Sequence, residues 1–425
     1  MKKLLFFLIF CLLFCFQSNA HVKEIVILTV NGVINPPHSE YVIKGIKKAH
    51  EMNAEAVIIQ LDTPGGLDTS MRSIVKEILN SQVPVIVYVS PKGARAASAG
   101  AFITLAAHIA AMAPGTNIGA AHPVAIGEKM DKTMAEKITN DAVAYIKSIA
   151  KERGRNISWA EQAVRKSISS TETEALKQKV IDFISEDMDS LIKQINGVKV
   201  KTMKGEITLN TKAAKINRID MNFREKLLKF ISDPNIAYIL LMIGIYGIIF
   251  ELSNPGAILP GVIGAISLIL AFYSLQTLPI NYAAAGLILL GVILFILELK
   301  FPSHGLLTFG GVACFILGSI MLFDTANPLF KLSLSVIIPV TIVTALFFGV
   351  MLRLAWKAHK RKPVTGTEEL VGLKGIAKTD INSHFGLVMV HGELWKAVAD
   401  EKIKKDEEIV VEEVRGLTLK VRKAS

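Results

Sequence analysis

Cysteine is close to absent from this chain: its 425 residues hold three. Cys11 and Cys15 lie in an apolar N-terminal run and Cys314 in a later apolar segment, so only one cysteine follows residue 20. A disulfide framework within the mature chain is thereby excluded. No spacing of His, Cys, Asp and Glu suited to a metal ion is apparent, and no glycine loop of the phosphate-cradling kind, so no cofactor is expected. Acidic residues are outnumbered, 37 against 48 Lys and Arg, for a formal charge of +11. That excess does not point to nucleic acid, because many of the basic residues flank apolar segments, where lysine and arginine meet lipid headgroups.

Charge is scarce in one further place, the stretch 235–352. Apolar segments follow one another there at 236–250, 258–278, 283–297, 306–323 and 332–352. About 20 apolar residues span a bilayer as a helix, and the first and third segments fall somewhat short. The count is five crossings, or four with one re-entrant segment. Turn residues join the segments, as in Asn254-Pro255-Gly256 and Asn327-Pro328. At the other end of the chain, Lys2 and Lys3, an apolar run over 4–16 and Gln17-Ser18-Asn19-Ala20 have the form of a signal peptide over residues 1–20, either cleaved after Ala20 or retained as an anchor. The cluster Arg353, Lys357, Lys360, Arg361 and Lys362 belongs on the cytoplasmic side by the positive-inside rule. With five crossings the N-terminal region then lies outside, in a multi-pass protein of the cell (inner) membrane. Arg218, Arg224, Lys226 and Lys229, just before the first segment, sit on the side where that rule does not expect them.

Between the signal and the membrane segments, residues 21–230 alternate short β-rich runs with amphipathic stretches, the pattern of a soluble α/β domain. Strands are expected at 24–30, 56–61, 85–89, 109–113 and 180–184, and helices at 41–52, 67–79, 99–107, 135–152 and 173–177. Thr171 and Glu174 have the spacing of a capping box. Residues 199–219 read as short strands and turns. The tail, 364–425, shows strand-like runs at 373–379, 387–390, 407–411 and 417–421, punctuated by Gly372, Gly375, Gly386, Gly392 and Gly416. Such a segment suits a small OB-like barrel. Its aromatics are confined to Phe385 and Trp395, too few for a base-stacking face.

Two glycine-rich stretches end predicted strands: Asp62-Thr63-Pro64-Gly65-Gly66, and Gly93-Ala94-Arg95-Ala96-Ala97-Ser98-Ala99-Gly100. Glycines let backbone N–H groups approach a reacting carbonyl, and a serine at a loop-to-helix junction can present its hydroxyl to a cleft. Both stretches read equally as tight turns. The Gly-x-Ser-x-Gly elbow is only half present, because Ala96 replaces its first glycine.

These stretches, with Met112-Ala113-Pro114-Gly115-Thr116, Lys137-Ile138-Thr139-Asn140, Glu174-Ala175-Leu176 and, in the tail, Gly386-Leu387-Val388 and Gly392-Glu393-Leu394-Trp395-Lys396-Ala397, resemble the long-form NfeD family, relatives of ClpP and signal peptide peptidase A. The resemblance runs over nearly the whole chain. It implies a ClpP/crotonase-like ββα spiral domain, then a helical transmembrane domain at 235–355, then the barrel. It also implies a serine protease that hydrolyses apolar segments of membrane proteins, with stomatin-like proteins as substrate or partner and self-association into a homo-oligomer. Ser98 would be the nucleophile, Lys137 the general base, and the N–H groups of Gly66 and Ala99 the oxyanion hole. Lysine takes up a proton only when uncharged, which near neutral pH takes about 4 kcal/mol of environmental bias. Met134, Ala135, Ile138 and Ala142 around Lys137 would supply an apolar setting.

His122, followed by Pro123, stands about as far past Ser98 as the catalytic histidine of ClpP-type proteases, which makes it a rival base or a groove residue. Three other readings stay in view: a Ser-His protease, a crotonase-type acyl-CoA enzyme, and a non-catalytic scaffold. Export disfavours the second, since coenzyme A is expected inside the cell.

Overall fold

The computed structural model describes residues 23–124, 131–212, 214–253, 256–276, 278, 280–301, 303, 305–323, 331–359 and 370–424. The signal-peptide reading and Lys360, Arg361 and Lys362 lie outside them. By its internal contacts the chain forms two compact units. The first runs through Phe295 and takes in Leu306–Thr344; the second joins Ile296–Gly305 to the chain from Ala345 on.

In the first unit, β1 (Glu24–Asn31), β2 (Ala56–Asp62), β3 (Val85–Val89) and β5 (Ile109–Met112) form the centre of a wholly parallel sheet. Its sixth-strand edge is β8 (Phe183–Ile184), and the other edge is β11 (Lys215–Arg218), giving the order β11-β1-β2-β3-β5-β8. The four central strands are near-continuous apolar runs because both of their faces are covered; every residue of β3 is buried. Alternate side chains divide between two cores. Val26, Leu28, Val57, Ile59, Val85 and Val87 pack under the helices Pro36–Glu51, Asp68–Leu79 and Ala99–Ala106, while Ile25, Ile27, Ile58, Ile86 and Tyr88 meet Leu191, Ile195 and Val200 beneath. The predicted strand at 180–184 shrinks to Phe183–Ile184. Val180 and Ile181 are consumed instead by backbone bonds to Ala175 and by burial in the upper core.

Residues 199–219 divide. β9 (Lys199–Thr202) and β10 (Gly205–Thr208) make a separate hairpin, and only β11 joins the main sheet. A second, three-stranded sheet is built from β4 (Arg95–Ala97), β6 (Asn117–Gly119) and β7 (Ser169–Thr171). It is stitched to the first by a bridge between Thr63 and Ala96. The capping box at Thr171 is complete: Glu174 N–H donates to the Thr171 hydroxyl at 3.4 Å, and Thr171 N–H donates to the Glu174 carboxylate at 2.9 Å.

Five apolar helices follow: Pro234–Ser253, Ile258–Leu275, Tyr282–Lys300, Leu306–Met321 and Leu334–His359. The first two are long and apolar enough to cross a membrane; the apolar parts described for the others, Tyr282–Glu298, Leu306–Met321 and Leu334–Val350, are shorter. The first two press together through glycines. A Cβ on Gly247 would come within 2.5 Å of Pro260 O and 2.8 Å of Gly264 Cα. Small residues at helix crossings allow the close approach on which association inside lipid depends. Tyr238 and Ser319 share a hydrogen bond of 2.6 Å across the bundle. At the top of it Val33 and Leu67 of the α/β domain pack against the cluster containing Ala237, Tyr238 and Met242.

The tail is a closed five-stranded barrel in the order β12-β13-β14-β16-β15, formed by Lys374–Ala377, Leu387–Val390, Glu393–Val398, Thr418–Lys423 and Glu408–Arg415 respectively. Val388, Val390, Ala397, Ile409, Val411, Leu419 and Val421 fill it. Trp395 packs half-buried against that core and Phe385 is exposed, so the two aromatics form no stacking surface.

Candidate active site

Ser98 occupies the junction between β4 and the helix Ala99–Ala106 with φ 52° and ψ −113°. A positive φ outside glycine is uncommon and persists only where surrounding structure enforces it. Here Ser98 N–H donates to Gly119 O at 2.9 Å, and the bridge at Thr63 holds β4 in place. Serine is a favoured N-cap, yet the Ser98 side chain makes no capping bond. Among the described residues its hydroxyl has no hydrogen-bond partner, and it lines a cleft.

The loop Thr63–Leu67 faces it. Gly65 has φ +123°, and a Cβ there would lie 2.8 Å from Ser98 Cβ and 3.3 Å from its Oγ. Gly66 is pinned to the chain at Ile34, where a Cβ would meet the Ile34 carbonyl oxygen at 2.1 Å. Ile34 N–H donates to Gly65 O and Leu67 N–H to Ile34 O, both at 2.8 Å. The Gly66 and Ala99 N–H groups donate to no acceptor among the described residues. Two orphan amide donors, one from a strapped loop and one from the first turn of a helix, border the same space; donors of this kind stabilise an oxyanion.

That space is a cleft of about 510 Å³. Ser98, Ala99 and Gly66 line one side, Lys137, Ile138, Asp141 and Ala142 the other, with Phe102 and Val124 among the apolar contacts. Lys137 rides on the helix Lys132–Glu152, whose start is fixed by Asp131 accepting from Thr133 N–H at 2.6 Å. Lys137 is exposed and makes no hydrogen bond or ion pair among the described residues. The apolar setting expected for it is only partial. Ala142 is buried, but Met134 is 48% and Ile138 38% exposed, because this end of the helix stands clear of the core.

Sequence reasoning missed the bolt that secures this helix. Arg72 donates to Asp68 at 2.7 Å and to Asp141 at 2.5 Å, and its guanidinium lies 4.4 Å from the Tyr145 ring centre. Asp141 is one turn beyond Lys137, so Arg72 ties the lysine-bearing helix to the helix Asp68–Leu79 behind the Gly66 loop. The Asp68/Arg72 spacing was visible as an i,i+4 pair, but nothing local signalled Asp141.

His122 stands apart from these groups. Its Nδ1 is 2.9 Å from Val164 O, the ring is exposed, and it is not among the cleft-lining residues although its neighbours Ala121 and Pro123 are. His108 is a packing histidine: Val85 N–H donates to its Nδ1 at 3.1 Å, and burial pushes its proton affinity down to a pKa of about 3. Among the described residues no group of three His, Cys, Asp or Glu could hold a metal ion.

Residues 24–217 match the family described as NfeD1b, N-terminal domain; residues 235–354, the NfeD integral membrane domain; and residues 367–423, the NfeD-like C-terminal, partner-binding domain. Membrane-bound protease PH1510 of Pyrococcus horikoshii is 41% identical over 384 residues, 87% of each chain. The chain belongs to the NfeD family. Membrane protein NfeD1b of Bacillus subtilis is 28% identical over 427 residues, covering 96% of this chain and 94% of its own. Two solved structures are similar in sequence over the N-terminal half, each 39% identical. One is a lysine-to-alanine variant of the 1510-N membrane-bound stomatin-specific protease in complex with a substrate peptide, covering 49% of this chain and 97% of its own with a TM-score of 0.46. The other is a serine-to-alanine variant of that protease, covering 47% and 99% with a TM-score of 0.45. This NfeD protein is accordingly a membrane-bound protease, with a parallel-sheet α/β domain, an apolar helical domain and a terminal closed barrel.

Proposed function

We propose that Ser98 is the nucleophile, Lys137 the general base, and the N–H groups of Gly66 and Ala99 the oxyanion hole. The observation that carries this reading is the single cleft of about 510 Å³ lined by all four residues. Ser98 Oγ attacks the scissile carbonyl carbon as its proton passes to uncharged Lys137 Nζ, and the carbonyl electrons move onto the oxygen between the two amides. Collapse of that intermediate breaks the C–N bond, and Lys137 returns the proton to the departing amine. Water, deprotonated by Lys137, then attacks the ester carbonyl; the acyl C–O bond breaks, the acid product leaves, and Lys137 returns the proton to Ser98 Oγ. An apolar peptide lying along Phe102, Val124 and Ile138 would strip water from the exposed Lys137 amine, and desolvation disfavours the ammonium.

The substrate is an apolar segment of a stomatin-like membrane protein. The apolar lining supports this, as does the stomatin specificity named for the 1510-N relative. The five apolar helices act as five crossings, with the protease domain on the exported side, the barrel in the cytoplasm as a partner-binding module, and the protein self-associating in the bilayer.

The test is cleavage of a peptide carrying a stomatin-type apolar segment by full-length protein in detergent. Ser98→Ala and Lys137→Ala are each expected to lower kcat by about 10³-fold or more, while His122→Ala stays within a few-fold of wild type. Loss of activity in His122→Ala with Lys137→Ala still active would assign the base to the wrong residue. Full activity in Ser98→Ala would remove the mechanism.

A further inference from the structure

The helix Phe223–Ile231, between the protease domain and the first apolar helix, presents three large apolar side chains that the described structure leaves uncovered: Phe223 is 83% exposed, Phe230 59% and Leu227 42%. At about 100° per residue the three fall on one stripe roughly 60° wide, with Lys226 bordering it on one side and Arg224 on the other. The opposite face is committed to the protein. Glu225 is 5% exposed, completes a capping box with Asn222 and pairs with Lys44 at 3.4 Å, and Lys229 Nζ donates to Asn31 O at 3.0 Å; Ile231, beside the stripe at the end of the helix, is buried. The packing thus fixes the rotation of the helix and turns the phenylalanines outward.

Continuity says what covers them. The helix ends at Ile231, and at Pro234 the chain enters the apolar helix Pro234–Ser253. Phe230, Leu227 and Phe223 lie four, seven and eleven residues before the bilayer-crossing segment, and at about 1.5 Å per residue none is more than roughly 16 Å of helix from its start. An apolar stripe edged by lysine and arginine is the pattern of a helix lying in the plane of the interface, with its apolar side at the acyl boundary and its cations among phosphates.

We propose that Phe223–Ile231 is an interfacial foot. Phe223, Leu227 and Phe230 enter the acyl boundary of the leaflet at which Pro234–Ser253 begins, and Arg224, Lys226 and the exposed Arg218 engage anionic phospholipid headgroups. The foot gives the basic residues beside the first apolar helix a role in lipid binding rather than in orientation. It rests on the membrane helices alone and is independent of the catalytic assignment.

Full-length protein with Cys11, Cys15 and Cys314 replaced by serine is reconstituted into phosphatidylcholine vesicles with and without phosphatidylglycerol. A nitroxide is attached in turn at Phe223→Cys, Leu227→Cys, Phe230→Cys and, as an aqueous reference, at the exposed Lys212→Cys. Because these side chains are solvent-facing, the substitutions spare the core. The expected result is a several-fold higher ratio of oxygen to nickel-chelate accessibility at 223, 227 and 230 than at 212. A deeper reading in phosphatidylglycerol vesicles is expected too, lost when Arg224→Glu and Lys226→Glu are introduced. Labels at 223 and 230 as accessible to the chelate as the one at 212 would overturn the proposal. So would labels shielded from both reagents, with dipolar broadening that disappears on dilution by unlabelled protein, since the stripe would then be an interface between copies.

Discussion

Replacing Gly65 by alanine separates two effects that the structure places at one residue. The backbone there has φ +123°, a conformation that costs a non-glycine residue about 1–3 kcal/mol. The new methyl would also lie 2.8 Å from Ser98 Cβ, well inside the roughly 3.5–4.0 Å of an ordinary carbon contact. Relief of that overlap moves Ser98 or the Gly66 loop by the better part of an ångström. Misplacement on that scale costs about 10²-fold in rate. Gly93 provides the control: its φ is +87°, but a Cβ would meet nothing within 4 Å. Both variants are therefore expected to lose comparable thermal stability, read from the unfolding transition of the α/β domain. Only Gly65→Ala is expected to lose about 10²-fold in kcat against a peptide substrate, with Gly93→Ala within a few-fold of wild type. Equal kcat in the two variants would refute the reasoning, because it would mean that the atom beside Gly65 is not the one that reacts.

Acid should destabilise the α/β domain through two histidines. Burial, aided by Lys229, pushes His38 down to a pKa of about 4, and burial, aided by Arg153, pushes His108 down to about 3. Each then binds its proton more readily after unfolding, so stability is fully present above pH 6.5 and drains away as pH falls toward 4, about 2 kcal/mol per histidine by pH 5. His108→Gln should reduce the loss in melting temperature between pH 7 and pH 5; an unchanged loss would contradict the burial argument. In the membrane domain, Gly247→Leu should splay the first two apolar helices and lower the monodisperse fraction in detergent, whereas Gly286→Ala, where a Cβ meets nothing within 4 Å, should leave it unchanged. Arg72→Ala removes two partly exposed ion pairs, which together are worth about 1 kcal/mol or less. Its melting point should barely move while kcat drops several-fold, because the helix carrying Lys137 is untethered from the Gly66 loop.

The parallel sheet was legible because buried strands announce themselves: Ile25, Val26, Ile27 and Leu28, or Val85 through Val89, have few other destinations. The two glycine stretches were legible for a related reason, since close approach to Ser98 and Ile34 leaves no room for a side chain at Gly65 or Gly66. The small sheet was not. β4, β6 and β7 are three residues each, and their pairing joins Arg95 to Asn117 and Asn117 to Thr171 across distances no local pattern encodes. The helix Ile157–Arg165 escaped notice as well, although Trp159, Ala160, Ala163 and Val164 have helical spacing and are buried. The surroundings of Lys137 were misread because apolar neighbours in sequence, Met134 and Ile138, belong to a helix end that projects from the core. In the barrel, the motif over 392–397 falls on the strand Glu393–Val398, paired in parallel to Thr418–Lys423.

Leu67 follows Gly66 directly, and its side chain, with Val33, packs against the cluster of the apolar bundle that contains Ala237, Tyr238 and Met242. Of two neighbouring residues, one thus lines the cleft beside Ser98 while the other leans on the apolar helices. A fragment cut before Pro234 loses the floor beneath Leu67, so rate constants taken from it describe an unsupported loop. In the whole protein, a tilt of the apolar helices is felt one residue from the cleft that holds Ser98.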